Sequence, residues 1–185
     1  MNMTGINTDA ITTEGGLHLG NKDAPVKVVE FLNLRCPFSR EWWENGGPVL
    51  DKYVEDNKVE RIIKLYDKEK TGLSKGNVLH AHLNYDNVDQ ARRDMDYYTA
   101  HLDDWGDLPE EEVAAYAKEK RGAERQENSR EAEAIVAEAK EANVATVPTV
   151  VIEDYIFDQH ITEEELKSII ETKLNRDEER EPNTF

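Results

Sequence analysis

At 185 residues the chain is long enough for one domain with a sizeable core and an inserted subdomain. Its content of 38% hydrophobic and 34% charged residues is polar for a globular protein but well short of a disordered composition. Forty acids against 23 bases leave a formal charge of −17, which repels phosphates and anionic headgroups and argues against nucleic acid or a membrane surface as partner.

Residues 1–16 are polar and aperiodic, and read as a loose lead-in with at most a short edge strand. They have no basic start and no apolar centre, so a signal peptide is not expected. No window approaches the ~18 apolar residues that span a bilayer. Leu17-His18-Leu19 reads as a strand, followed by a turn through Gly20-Asn21-Lys22-Asp23-Ala24-Pro25. Val26 to Leu32, rich in β-branched and apolar residues, predicts a buried central strand. Glu30 is anomalous there, because a buried carboxylate is costly unless paired or protonated.

Asn33-Leu34-Arg35 leads to Cys36-Pro37, and proline is favoured in the first helical turn. The spacing predicts a helix from Pro37 to Asn57, broken at Gly46-Gly47-Pro48. Val59 to Tyr66 supplies a second strand, giving a strand–helix–strand crossover with parallel pairing.

From about 74 to 143 the pattern becomes helical. Ser74 is a candidate cap for a helix through Val78, Leu79 and Leu83. Further helices are expected near Val88–Leu102, Pro109–Arg121 and Gln126–Ala142. Tyr97, Tyr98, Trp105 and Tyr116 are the expected core of this region. Strand signals return at Val147–Ile152 and Tyr155–Phe157. A capping box of Thr162 and Glu165 then opens a helix with Leu166, Ile169, Ile170 and Leu174 on one face. The charged tail, 175–185, is expected to fray.

Chemistry concentrates at Cys36, the only cysteine. A thiol at a helix start meets unpaired N–H groups and the positive end of the helix dipole, both of which favour thiolate and reactivity. Arg35 is placed to add positive charge, and the Ser39 hydroxyl to reach back toward the sulfur. The alternative is a buried inert cysteine. One cysteine makes no internal disulfide, which favours a reducing, cytoplasmic setting.

Four features together resemble the DsbA-like oxidoreductases of the thioredoxin superfamily. They are the approach from Gly20 to Phe31, Cys36-Pro37-Phe38-Ser39, Val147-Pro148-Thr149 before a late strand, and the helical insert. The resemblance spans roughly residues 17–174 and implies an α/β, thioredoxin-like fold with a mixed sheet. The core would comprise residues 17–73 and 144–174, with 74–143 inserted. It further implies Cys36 as nucleophile, Pro148 as a cis-proline facing it, and Val147 as a backbone partner of extended thiol substrates. Pro37 and Phe38 would border the substrate. Glu30 would be the buried acid that assists proton transfer, unless it simply pairs with a nearby lysine.

Ser39 stands where the family has its resolving cysteine, and a hydroxyl cannot attack a mixed disulfide to release product. The expected activity is therefore monothiol thiol–disulfide exchange or isomerisation, with protein or small thiols and disulfides as partners. No cofactor is expected beyond an external thiol such as glutathione. The alternative is a non-catalytic module that holds peptides or proteins along the cis-proline groove. Cys-Pro-Phe-Ser is also one residue from the Cys-Gly-Phe-Ser of cluster-binding monothiol glutaredoxins, but a single cysteine per chain would need a dimer and outside thiols. The five histidines lack ligand spacing, so no metal site is expected and they read as surface residues.

Overall fold

The computed structural model describes residue 3, residues 5–70 and residues 72–180. The two β-branched runs become the paired centre of a five-stranded sheet: β2 (Val26–Leu32) and β3 (Val59–Leu65), parallel from Val26↔Val59 to Leu32↔Leu65. A crossover of α1 (Pro37–Asn45) and α2 (Gly47–Glu55) joins them. The break falls at Gly46, where the ring of Trp42 occupies the space that a Cβ would need. β1 (Leu17–Leu19) pairs antiparallel with β3. β4 (Thr149–Ile152) pairs antiparallel with β2, placing Thr149 opposite Phe31, and β5 (Tyr155–Phe157) closes the order β1-β3-β2-β4-β5.

Alternation along the strands divides the core. Val26, Val28 and Leu32 join Val59, Ile63 and Leu65 on one face, under Trp42, Leu50, Leu166 and Ile170 from α1, α2 and α8 (Glu163–Arg180). That cluster continues into α4 (Val88–Ala100), α5 (Leu102–Trp105) and α6 (Glu110–Arg121) through Met95, Tyr98, Trp105 and Ala117. The helical region thus shares the core of the sheet. On the other face Val29, Phe31 and Ile62 meet Ile135 and Ala139 of α7 (Ser129–Glu141). α7 falls inside the expected insert, 74–143, yet it packs directly on β3 and covers this face of the sheet.

β3 is buried at all seven positions, three of them charged along one unbroken run of strand. Glu60 meets Lys27, Arg61 meets Glu30, and Lys64 meets Glu138. An unpaired buried charge costs several kcal/mol, more than the ~1.5–3 kcal/mol that burying one apolar neighbour returns. These pairings are therefore a condition of the fold.

Several expected boundaries shift. Ser74 begins α3 (Ser74–His80) without capping it, and the helix stops before Leu83. The expected helix over Val88–Leu102 divides at His101, whose ring bonds Tyr97 O. The Thr162–Glu165 capping box forms with both reciprocal bonds, 2.9 and 3.1 Å. α8 runs on to Arg180, so Asn175 to Arg180 are helical, and the rest of the expected tail lies outside the described residues. The lead-in is not loose. Thr8–Ala10 form a 3-10 turn, Asn7 N–H donates to Ala142 O, and Thr12 bonds the Glu138 carboxylate.

Candidate active site

β2 ends at Leu32, and a three-residue loop, Asn33-Leu34-Arg35, carries the chain to Cys36, the N-cap of α1. Cys36 N–H donates to Asn33 O at 3.0 Å, a tight turn that sets the sulfur at the start of the helix. Pro37 occupies the first helical position, where its missing N–H removes no intrahelical bond. The thiol donates to Val147 O at 3.5 Å, and the Val147–Pro148 peptide bond is cis. Thr149 Oγ1 donates to Thr146 O at 2.7 Å and braces this second loop. Cys36, Pro37, Val147 and Pro148 therefore come together at one end of the sheet. Cys36 is only 5% exposed, whereas the Phe38 side chain beside it is 53% exposed.

Three neighbours behave differently from expectation. Ser39 is buried and its hydroxyl accepts from Asn33 N–H at 3.3 Å, so it braces the loop and does not bond the sulfur. Arg35 turns away from Cys36, because Gly106 O takes its Nε–H at 2.6 Å and Asp107 binds its terminal nitrogen. Glu30 is fully buried, and the alternative of a lysine partner gives way to an arginine. Arg61 donates to both carboxylate oxygens, at 2.8 and 2.9 Å, and Trp42 Nε1–H donates at 2.7 Å. Burial alone would lower the Arg61 guanidinium, but Glu30 and Asp51 lift it above its usual range. Glu30 lies on the strand face of Val28 and Leu32, while Cys36 packs with Val29, Phe31 and Tyr66. These bonds tie α1, through Trp42, to the sheet.

The loop before Cys36 is held from the helical region by residues that the sequence did not single out. Leu34 N–H donates to His80 Nε2 at 3.1 Å, and His80 Nδ1–H donates to Asp67 at 2.7 Å, which fixes the imidazole as the Nδ1–H tautomer. His80 is 3% exposed and is not the surface histidine expected. Asn33, also buried, donates to Tyr66 O and Asn77 Oδ1. Gly76 permits the approach, since a Cβ there would run into the Asn33 side chain and Arg35 N. A glycine inside a helical pattern is a sequence signal for such close packing. Among the described residues no group of three or more His, Cys, Asp and Glu side chains is placed to hold a metal, and no helix is long and apolar enough to cross a membrane.

A fold of this order, with a helix-capping cysteine against an X-Pro loop, has a family. The thioredoxin family model matches residues 12–172. The chain belongs to the thioredoxin family. The solved structure of a conserved protein of unknown function from Enterococcus faecalis V583 is 44% identical with a TM-score of 0.90, covering 92% of this chain and 98% of that one. Oxidised BdbD of Bacillus subtilis is 17% identical at a TM-score of 0.67, covering 89% and 95%. A candidate protein-disulfide isomerase from Pseudomonas syringae is 17% identical at 0.68, covering 86% and 99%. The last two speak to the fold. No curated protein matches the chain.

Proposed function

We propose that this protein is a monothiol thiol–disulfide exchange enzyme acting through a mixed disulfide at Cys36. The observation that carries the reading is the meeting of the sole cysteine, as N-cap of α1, with the Val147 carbonyl of the cis Val147–Pro148 loop. In the forward step the Cys36 sulfur, its proton released to solvent, attacks one sulfur of a disulfide RSSR. The S–S bond breaks, RS⁻ leaves and takes up a proton, and Cys36–S–S–R remains. An external thiol then attacks the R-side sulfur and returns Cys36 as a thiol, so the protein is unchanged in net oxidation state. An isomerase cycle differs only in that the second thiol belongs to the same substrate protein. Pro37, Phe38, Val147 and Pro148 border the incoming disulfide, and Phe38 offers it an apolar surface. A reducing, cytoplasmic compartment suits a site that stores no disulfide of its own.

The test is intact mass after incubation with oxidised glutathione. The expected result is one glutathione per chain on Cys36, released by reduced glutathione and absent in Cys36→Ser. A folded protein that forms no adduct would sink the enzyme reading. The 5% exposure of Cys36 beside exposed Phe38 is the observation that favours a second reading, a module that holds extended peptides without chemistry. That reading predicts peptide binding that survives Cys36→Ser.

A further inference from the structure

The geometry points to an anion-recognition element beside Cys36: Lys68, Lys70 and Lys140 bind the carboxylates of a small anionic thiol or disulfide whose sulfur meets Cys36. This rests on the exchange chemistry proposed above and names its substrate class. Lys68 Nζ donates to Ala145 O at 2.7 Å, two residues before Val147, whose carbonyl faces the Cys36 sulfur. The same ammonium lies 4.3 Å from the centre of the Tyr66 ring, and Tyr66 packs in one cluster with Cys36 and Val147. α7 delivers Lys140 to the start of that loop, its last turn closed by Val144 N–H on Ala139 O and Asn143 N–H on Lys140 O.

The charge pattern supplies the reason. In a chain of 40 acids and 23 bases, the buried cations Lys64, Lys173 and Arg61 all have carboxylate partners. Among the described residues, Lys68, Lys70 and Lys140 have none within 4 Å. Burial, and the ammoniums of Lys70 and Lys140, hold Lys68 below the ordinary lysine range. Of the acids near them, Asp67 bonds His80 and Glu138 bonds Lys64, while Glu69 and Glu141, next in sequence to Lys68 and Lys140, are exposed. A helix C-terminus accounts for Lys140 alone. It does not account for Lys68, a half-buried ammonium without a carboxylate partner that lies over Tyr66 and on the loop whose Val147 carbonyl faces the Cys36 sulfur, an arrangement that a bound anion relieves.

Adduct formation on Cys36 tests this with three disulfides of different charge: oxidised glutathione (anionic), bis(2-hydroxyethyl) disulfide (neutral) and cystamine (cationic). Each rate, at low salt, is divided by that of 2-mercaptoethanol with the same disulfide. The overall charge of −17 predicts that the cationic disulfide is preferred, whereas the lysine cluster predicts that the anionic one is. The expected result is an anionic preference that falls on the order of tenfold in Lys68→Gln/Lys140→Gln and weakens with added salt, with the neutral disulfide unaffected. The single variant Lys70→Gln, at an exposed position, lowers the preference by roughly twofold to threefold and stands in should the double variant not fold. A cationic preference in the wild type, or an anionic preference unchanged in the variants, overturns the inference and leaves the exchange reading intact. Failure of all three disulfides to label a folded protein removes both.

Discussion

Glu30 and Cys36 lie six positions apart, both buried, yet their surroundings are opposites. Around Glu30 every polar group has a partner: Arg61 on both oxygens, Trp42 on one, and Asp51 bridging Arg61 to Arg92. Arg61 and Arg92 also lie within 5 Å of the Trp43 ring, at 4.8 and 4.7 Å. Around Cys36 the thiol makes one long bond to a carbonyl, and the groups that could have modified it, Arg35 and Ser39, are engaged elsewhere. A region saturated with strong bonds fixes position. The region around Cys36 lacks such side-chain ties, and it is held in place by its backbone. The fold uses the first to support the second, since Trp42 and Cys36 belong to the same short helix.

The harshest way to break the comparison is Arg61→Met, which leaves the Glu30 carboxylate buried with Trp42 as its remaining partner. Loss of one member of a buried pair costs about 3–5 kcal/mol, and urea unfolding should show it. Glu30→Gln in the same background removes the stranded charge and should recover part of the loss. If Arg61→Met costs no more than a surface substitution, the network is not what anchors α1.

Gly76→Ala attacks the Cys36 side. The new methyl meets the Asn33 side chain and Arg35 N, so the loop must shift or α3 must retreat. Overpacking of this kind costs about 1–3 kcal/mol. The sharper readout is kinetic: glutathione adduct formation should slow by more than the stability change alone would produce, because the loop that sets the sulfur is displaced. An unchanged rate would mean that the helical region contributes stability only.

How much of this was legible follows the same division. The central strands, the helix break at Gly46 and the Thr162 capping box could be read because local pattern and tertiary role agree there. Cys36 and Val147-Pro148 could be matched through motifs. Glu30 announced itself as a carboxylate in an apolar strand, but its partner is Arg61 on β3, a neighbour that only the strand register reveals. His80, Asp67 and Asn77 were invisible for a related reason. Nothing in the spacing of residues 67–80 says that this segment folds back onto the turn before Cys36. α7 was assigned to the insert because it is helical and rich in Ala and Glu, whereas Ile135 and Ala139 are what place it under the sheet.

Thr162→Ala sharpens the contrast from a distance. It removes the hydroxyl that accepts Glu165 N–H at 3.1 Å at the start of α8, which costs about 1 kcal/mol by the usual loss of an N-cap. α8 packs on the face that carries Glu30, so unfolding should register the change. The rate of Cys36 labelling should not move. A matching fall in labelling would mean that global stability sets reactivity at Cys36 and that the local account of the loop is wrong.

The mildest effect belongs to pH. Burial raises the Asp51 carboxyl, but hydrogen bonds and charge from Arg92 and Arg61 outweigh it and hold the group below the ordinary value of 3.8. A carboxyl depressed by folding contributes stability that is present above its unfolded value and is lost as pH falls through the lower folded value. The contribution from Asp51 should therefore be complete at neutral pH and disappear only in acid below about 3.8. Comparing unfolding free energies of wild type and Asp51→Asn across the acid range checks this, since the variant should show a shallower acid limb. Equal slopes would mean that Asp51 titrates as it does in the unfolded chain. The bridge from Arg61 to Arg92 would then be a contact without energetic weight, and the saturated region would end at Glu30 and Trp42.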